Sequence, residues 1–156
     1  MDISVEAPAE PPVLVATLRM PFPLSRVWTA VTEPLYIQEW FAPHGYTNRS
    51  VEMDVSPGGA WRMSQMDPEG NAFAFYGRFD IVERESRLRF SQTSEIFPDV
   101  TTWLRVEMAG SPAGTMMVVS HLFPSDYHRT AYLNLGGLAR LREPLERLDT
   151  LLRSMS

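Results

Sequence analysis

The sequence predicts an α+β domain in which a curved antiparallel sheet of about seven strands wraps around a long C-terminal helix. Three observations lead to this prediction. Apolar and polar residues alternate from residue 51 to residue 123, which is the period of half-buried strands. Turn-forming residues recur at short intervals through the same stretch, as hairpin connections require. The C-terminal segment instead carries leucines at helical spacing.

Composition limits the chemistry that the chain can perform. Its 156 residues fit one domain, and 44% of them are hydrophobic. Cysteine is absent, which excludes disulfides, thiol nucleophiles and cysteine-based zinc sites. All 14 basic residues are arginine, so chemistry based on a lysine Schiff base is excluded. A net charge of −5 without a basic stripe argues against a nucleic-acid partner.

The first twelve residues differ from the rest of the chain. They are acidic and contain Pro8, Pro11 and Pro12, so we expect a flexible tail over residues 1–12 and a single domain over 13–156. The tail lacks the basic start and apolar core of a secretion signal. No window approaches the ~18 apolar residues of a membrane span. We therefore expect a cytoplasmic protein.

A strand and two short helices come next. Residues 13–20 alternate and are partly β-branched, which predicts the first strand. Pro23 suits the first turn of a helix, where its missing N–H is not needed. Ile37, Trp40 and Phe41 are spaced i, i+3, i+4, which predicts the apolar side of a second short helix.

Six further strands are predicted to form an antiparallel meander. Tight turns at Pro57-Gly58-Gly59 and Asp67-Pro68-Glu69-Gly70 separate the first three. Trp103 has the opposite parity to its apolar neighbours, so we expect it on the outer face, as part of a homodimer or another partner surface. Alternation along the strand that follows the second of these turns predicts one inward face, formed by Phe73, Phe75, Gly77, Phe79 and Ile81.

The last segment is predicted to be helical. Ser125 is a suitable cap for its start. Gly136-Gly137 and Pro144 interrupt the pattern, so we expect a bent or two-part helix. Acidic and basic residues four apart predict the surface ion pairs Glu143–Arg147 and Asp149–Arg153. An apolar stripe within an arc of about 80° is formed by Leu138, Leu141, Leu145, Leu148 and Leu152.

Several of these segments resemble a known family. Residues 27–34 (VWTAVTEP) and 54–59 (DVSPGG), together with Trp40 and Pro43, are similar to the activator-of-heat-shock-protein-90-ATPase homologues. Residues 77–79 (GRF) and 114–115 (GT) are similar in kind and spacing. That family belongs to the START-like (SRPBCC) superfamily. The resemblance, over roughly residues 13–154, implies the helix-grip fold with the order β-α-α-β-β-β-β-β-β-α.

The resemblance also has departures. The family usually carries a glycine-tryptophan pair early in the final helix, where this chain has Gly136-Gly137 followed by Leu138. The eukaryotic co-chaperone that gives the family its name has an additional N-terminal domain. This chain has no room for one, so chaperone activation does not transfer readily from the resemblance.

A curved sheet that grips a helix leaves a space between them, lined by both inner faces. In such a fold the inward aromatic and methionine side chains form the wall of a ligand cavity as well as the core. The predicted lining consists of Trp40, Phe41, Met53, Trp61, Met63, Phe73, Phe75, Phe79, Phe90, Leu104, Val106, Met117, His121 and Leu138.

His121 is the weak candidate for chemistry. Parity places it on the inner face of the last strand, where a histidine orients a ligand, moves a proton or simply forms a hydrogen bond in the wall. The other histidines, His44 and His128, lie far away in sequence, and no HxH or HxxxH pair occurs. We therefore expect no metal site and no cofactor.

The leading prediction is a small-molecule binding protein with an apolar cavity for a lipid-like, aromatic or polyketide-like ligand. The reason is the apolar inner face with few buried ionisable groups. An alternative is an enzyme of the cyclase, dehydratase or hydrolase kind, with His121 as acid or base beside Tyr132 or Gln92. A third is a protein-interaction module, including a chaperone-linked role. Of these three predictions, we favour binding without catalysis.

Overall fold

In the computed structural model, which describes residues 2–8 and 10–155, one eight-stranded antiparallel sheet grips the C-terminal helix. The sheet is ordered β1-β2-β8-β7-β6-β5-β4-β3, so the N-terminal strands join the end of the meander. The strands are β1 (Asp2–Glu6), β2 (Val13–Met20), β3 (Thr47–Met53), β4 (Ala60–Met66), β5 (Ala72–Glu83), β6 (Arg87–Ser94), β7 (Thr101–Ser111) and β8 (Gly114–Leu122).

Four helices cover the inner face and the ends of the sheet. The Trp40 indole donates to the Ala30 carbonyl oxygen at 2.8 Å and so fastens the second helix to the first. Leu141, Leu145, Leu148 and Leu152 of the last helix are buried in a core shared with β2. The helices are α1 (Leu24–Thr32), α2 (Pro34–Trp40), α3 (Asp126–Asn134) and α4 (Gly137–Ser154). Apart from Leu138, the predicted leucine stripe is thus the surface that the sheet grips.

The sequence prediction of a flexible tail over residues 1–12 is wrong for residues 2–6. They form β1, which pairs with β2 from Asp2 opposite Arg19 to Glu6 opposite Val15. Ile3 packs against the core, because the segment alternates like any half-buried strand. The prolines that suggested a tail all follow this strand. Predictions that concern Met1, Ala9 and Ser156 lie outside the described residues.

A β-bulge changes the predicted inner face of β5. Phe79 pairs with Phe90, but the register then shifts so that Ile81 pairs with Arg89. An extra residue in one strand inverts the alternation beyond it. Val82, opposite Leu88, therefore packs against the core in place of the predicted Ile81.

The final helical segment is divided in two, as expected, but the division lies only at the glycines. Ser125 caps α3 by accepting from the His128 N–H at 3.2 Å. Gly136 has φ +82°, a left-handed conformation that glycine adopts without strain, and it separates α3 from α4. Pro144 lies inside α4, which continues through it. Burial of the leucines on both sides of Pro144 offsets the backbone hydrogen bond that proline cannot donate.

Trp103 lies on the outer face of β7, yet its ring is covered. The Arg89 guanidinium stands 4.0 Å from the ring centroid, and Arg89 itself pairs with Asp80. A cation stacked on the indole stabilises it in place. Trp103 therefore offers less open apolar surface than its parity suggests, and the homodimer stays a prediction.

Candidate ligand cavity

A cavity of about 190 Å³ lies between the inner face of the sheet and the helices. The sheet supplies its floor through β3 to β8, and α4 supplies the opposite wall through Leu141, Pro144 and Leu145. The segment after α2 closes one side with Phe41, Ala42 and Pro43. Most of the lining is aliphatic or aromatic, so the cavity suits an apolar occupant.

Most residues predicted to line a cavity do border this one. Their parity on the strands places them there, and their role in binding stays a prediction. The bordering residues of that set are Trp40, Phe41, Met53, Trp61, Met63, Phe75, Phe79, Phe90, Leu104, Val106, Met117 and His121.

Phe73 and Leu138 do not border the cavity. Phe73 stands at the end of β5, opposite Gln65, and remains partly exposed. Leu138 belongs to the first turn of α4 and is 42% exposed. Phe73 has the inward parity of its strand, and Leu138 belongs to the leucine stripe of its helix. Each lies where its element has only begun to pack against the other layer.

Two polar residues of the wall were not predicted. Gln65 follows the inward parity of Trp61 and Met63, so alternation alone identifies it. Its side-chain nitrogen donates to the Phe41 carbonyl oxygen at 2.8 Å. Arg140 lies outside the leucine stripe of α4, and no sequence signal points to it because its position depends on the break at Gly136.

An aromatic cluster forms part of the cavity floor. The Trp61 and Phe90 rings meet edge to face with centroids 5.9 Å apart, and the Phe79 and Phe90 centroids are 5.5 Å apart. The Trp61 indole donates to the Ser91 carbonyl oxygen at 3.0 Å. That bond crosses over Gly77, which pairs with Trp61 and has no side chain to block it. A fixed aromatic floor favours a flat apolar ligand.

His121 is a buried, neutral group in the wall. Its side chain is next to the rings of Phe123 and Tyr132, with centroids at 4.4 and 5.1 Å. Its Nε2 lies 2.9 Å from the Thr102 hydroxyl. Burial lowers the pKa of His121 to about 4, because an imidazolium here would lose its hydration. His121 is therefore uncharged near pH 7.

Tyr132 extends from α3 to the same end of the cavity. Burial raises the pKa of its hydroxyl to about 12, and the charge of Arg140 partly opposes this rise. A Cβ on Gly137 would come within 2.4 Å of the Tyr132 ring. Gly137 therefore makes room for the Tyr132 ring where the last helix begins.

Arg147 organises the wall segment after α2. The prediction of a Glu143–Arg147 ion pair is wrong, since Glu143 accepts from the His44 N–H at 3.0 Å. The predicted pair of Asp149 with Arg153 is present at 3.0 Å. The Arg147 guanidinium instead donates to four backbone oxygens at 2.9–3.0 Å, those of Glu39, Ala42, Pro43 and Tyr46.

Replacing Arg147 with methionine is expected to lower the free energy of unfolding by about 2–3 kcal/mol, because four charge-assisted hydrogen bonds are lost together. Urea denaturation measures this loss. Arg142→Met is the control on the same helix, since Arg142 makes only a 3.9 Å ion pair with Glu146 and one exposed hydrogen bond. It should cost less than about 1 kcal/mol. Equal losses in both variants would contradict the role assigned to Arg147.

The sequence matches a described family over most of its length. Residues 21–150 match the activator of Hsp90 ATPase homolog 1-like proteins. The chain belongs to this family. No curated protein matches the sequence. As a member of the activator of Hsp90 ATPase homolog 1-like family, the chain has a START-like fold that is compatible with ligand binding.

Solved structures show the same fold at low identity. A Nitrosomonas europaea protein is 24% identical with a TM-score of 0.82, covering 91% of this chain and 94% of its own. A Mycobacterium smegmatis protein is 19% identical with a TM-score of 0.87, and 99% of each chain is covered. An Arthrobacter aurescens protein is 20% identical with a TM-score of 0.90, covering 98% of this chain and 92% of its own. These likenesses concern the fold alone.

Two further features concern the described part of this family member. Over residues 2–8 and 10–155, no helix is both long and apolar enough to cross a bilayer. Within the same residues, no three histidine or acidic side chains are grouped as metal ligands would be. Among the described residues, the polar groups that border the cavity are the amides of Gln65 and Gln92, the Tyr132 hydroxyl, the neutral His121 imidazole and the Arg140 guanidinium.

Proposed function

We propose that this chain binds small apolar molecules, aromatic ones in particular, in the cavity between the sheet and α4. The observation that carries the proposal is the cavity itself, which a mainly aliphatic and aromatic lining surrounds inside an otherwise packed core. A void of this size in a hydrophobic core forfeits packing contacts unless something fills it. Polar groups that can orient a ligand also border the cavity, among them Gln92 and His121.

The volume limits the size of the ligand. An apolar cavity of ~150 Å³ accommodates one benzene ring. The 190 Å³ here therefore suits a single substituted ring or a short acyl chain better than a complete long-chain lipid. Burying ~150 Å² of apolar ligand surface contributes about 4 kcal/mol before the cost of association. We expect affinities for simple probes in the millimolar to micromolar range.

The proposal is tested with a neutral probe, 3-phenylpropanamide, and the fluorescence of the protein. Trp40 and Trp61 border the cavity, so an occupant should change their emission in a saturable way. Val119→Phe, which fills the cavity from β8, should weaken binding at least about tenfold, the equivalent of 1.4 kcal/mol. Val118→Phe is the matched control on the opposite face of the same strand and should bind like the wild type.

Each outcome of this titration bears on the proposal. A folded wild type that shows no saturable change with the probe would overturn it. Binding that Val119→Phe leaves intact would place the probe elsewhere and would also overturn it. If Val119→Phe does not fold, Leu104→Phe fills the same cavity from β7 with a smaller increase in volume. Circular dichroism establishes the fold of each variant first.

Catalysis by His121 is a second candidate function, because this residue borders the cavity and its Nε2 lies 2.9 Å from the Thr102 hydroxyl. Gln92 and Tyr132 border the same space. A histidine whose pKa is about 4 is nevertheless a weak base near pH 7. It suits the orientation of a ligand hydroxyl better than the removal of a proton. We therefore place binding before catalysis.

A further inference from the structure

Among the described residues that border the cavity, Arg140 is the single one with a formal charge. The other polar residues that border the cavity are Gln65, Gln92, His121 and Tyr132, and none of them is charged near neutral pH. No aspartate or glutamate borders the cavity within residues 2–8 and 10–155. The field inside is therefore positive at one place, beside the junction of α3 and α4.

The Arg140 guanidinium has no acidic partner in the part of the chain that the structure describes. Its Nε donates to the Leu135 carbonyl oxygen at 3.2 Å, which ties the side chain to the end of α3. Eight other arginines do have an acidic partner within 4.0 Å. The carboxylate of Glu143, three residues further along α4, is held by the His44 N–H. Among residues 2–8 and 10–155, neither terminal nitrogen of Arg140 has a hydrogen-bond partner, so both can bind an anion.

Tyr132 supplies a second donor at the same place. Its hydroxyl is protonated over the whole physiological range, and the Arg140 charge acts on it. Its ring is held between His121, Phe123 and the start of α4. The neutral phenol of Tyr132 and the guanidinium of Arg140 both border the cavity, so both can donate to a carboxylate bound there.

On the basis of the binding function proposed above, we propose that the occupant is a small aromatic carboxylate. Its ring lies on the cluster of Trp61, Phe79 and Phe90, and its carboxylate binds Arg140 and accepts from Tyr132. Carboxylates match the planar fork of arginine, with two parallel N–H···O bonds. A cationic ligand would meet an unopposed positive charge, and a long-chain acid exceeds the 190 Å³ available.

Three probes of nearly equal shape test the charge preference: 3-phenylpropanoate, 3-phenylpropanamide and 3-phenylpropylamine. The wild type should bind the carboxylate about tenfold more tightly than the amide, and the amine most weakly. Arg140→Gln should weaken carboxylate binding about tenfold and change amide binding less than twofold. Arg142→Gln, on the same helix but paired with Glu146, should change neither. Tryptophan fluorescence reports all affinities, because Trp40 and Trp61 border the cavity.

The outcomes distinguish the carboxylate preference from the binding function on which it rests. If Arg140→Gln leaves carboxylate binding unchanged while Val119→Phe abolishes it, the cavity binds ligands but the carboxylate preference is false. If the wild type binds the amide as tightly as the carboxylate, the inference also falls. If the wild type binds none of the three probes, the binding function itself falls. Arg140 is exposed, so its variant should fold, and circular dichroism verifies this.

Discussion

Replacing Gly77 with alanine is expected to destabilise the protein by more than about 3 kcal/mol or to prevent stable folding. A Cβ at this position would lie 1.8 Å from the Ser91 carbonyl oxygen and 2.7 Å from the Trp61 Nε1. The Ser91 backbone cannot move away as a flexible side chain could, because β6 is hydrogen-bonded to β5 and β7 on its two sides. The methyl group would therefore separate β5 from β6 and break the Trp61 bond to Ser91.

Urea denaturation measures this loss, and near-ultraviolet circular dichroism reports the environment of Trp61. Gly110→Ala is the matched control, since Gly110 also lies in a strand, and its nearest neighbour is the Leu24 side chain at 3.2 Å. Leu24 can move, so the control should cost less than about 1 kcal/mol. A Gly77→Ala protein with wild-type stability and an unchanged Trp61 signal would contradict the close approach of β5 and β6.

The inner face of the sheet is largely predictable from the sequence. Strand alternation fixes which side of the sheet a residue faces, so it predicts Met53, Trp61, Met63 and Phe75 on the face that borders the cavity. The bulge in β5 escaped prediction because Ile81 and Val82 are both apolar and β-branched. Either parity satisfies the pattern, and only the pairing with β6 selects Val82.

The polar part of the candidate site was harder to predict. Arg140 borders the cavity because α4 begins directly after the left-handed Gly136. If the helix began at another residue, Arg140 would face away from the cavity. Similarly, β1 is an edge strand whose pairing with β2 depends on tertiary contacts. One of them is the Arg142 bond to the Ile3 carbonyl oxygen at 3.2 Å. Local sequence patterns carry little information about such distant pairings.

Acid should destabilise this protein through His121 between pH 6.5 and pH 4. Burial lowers the pKa of the folded-state imidazole from 6.5 to about 4. In that window the unfolded chain therefore binds a proton that the folded protein does not bind. The stability contribution of the neutral imidazole is complete above pH 6.5 and is lost as the pH falls towards 4. At about 1.4 kcal/mol per pKa unit, the free energy of unfolding should fall by about 3 kcal/mol from pH 7 to pH 4.

His121→Gln isolates this contribution, because glutamine retains a hydrogen-bonding group towards Thr102 and does not titrate. Urea denaturation at a series of pH values should show the wild type losing about 3 kcal/mol more than the variant between pH 7 and pH 4. Hydrogen bonds to Asn71 and Arg87 lower the pKa values of Asp67 and Glu83, so these carboxylates also contribute stability that is lost in acid. That loss is the same in both proteins. Parallel pH profiles for the two proteins would show that His121 is solvated and charged in the folded state. That result would also contradict the proposal that a buried, neutral His121 orients the ligand.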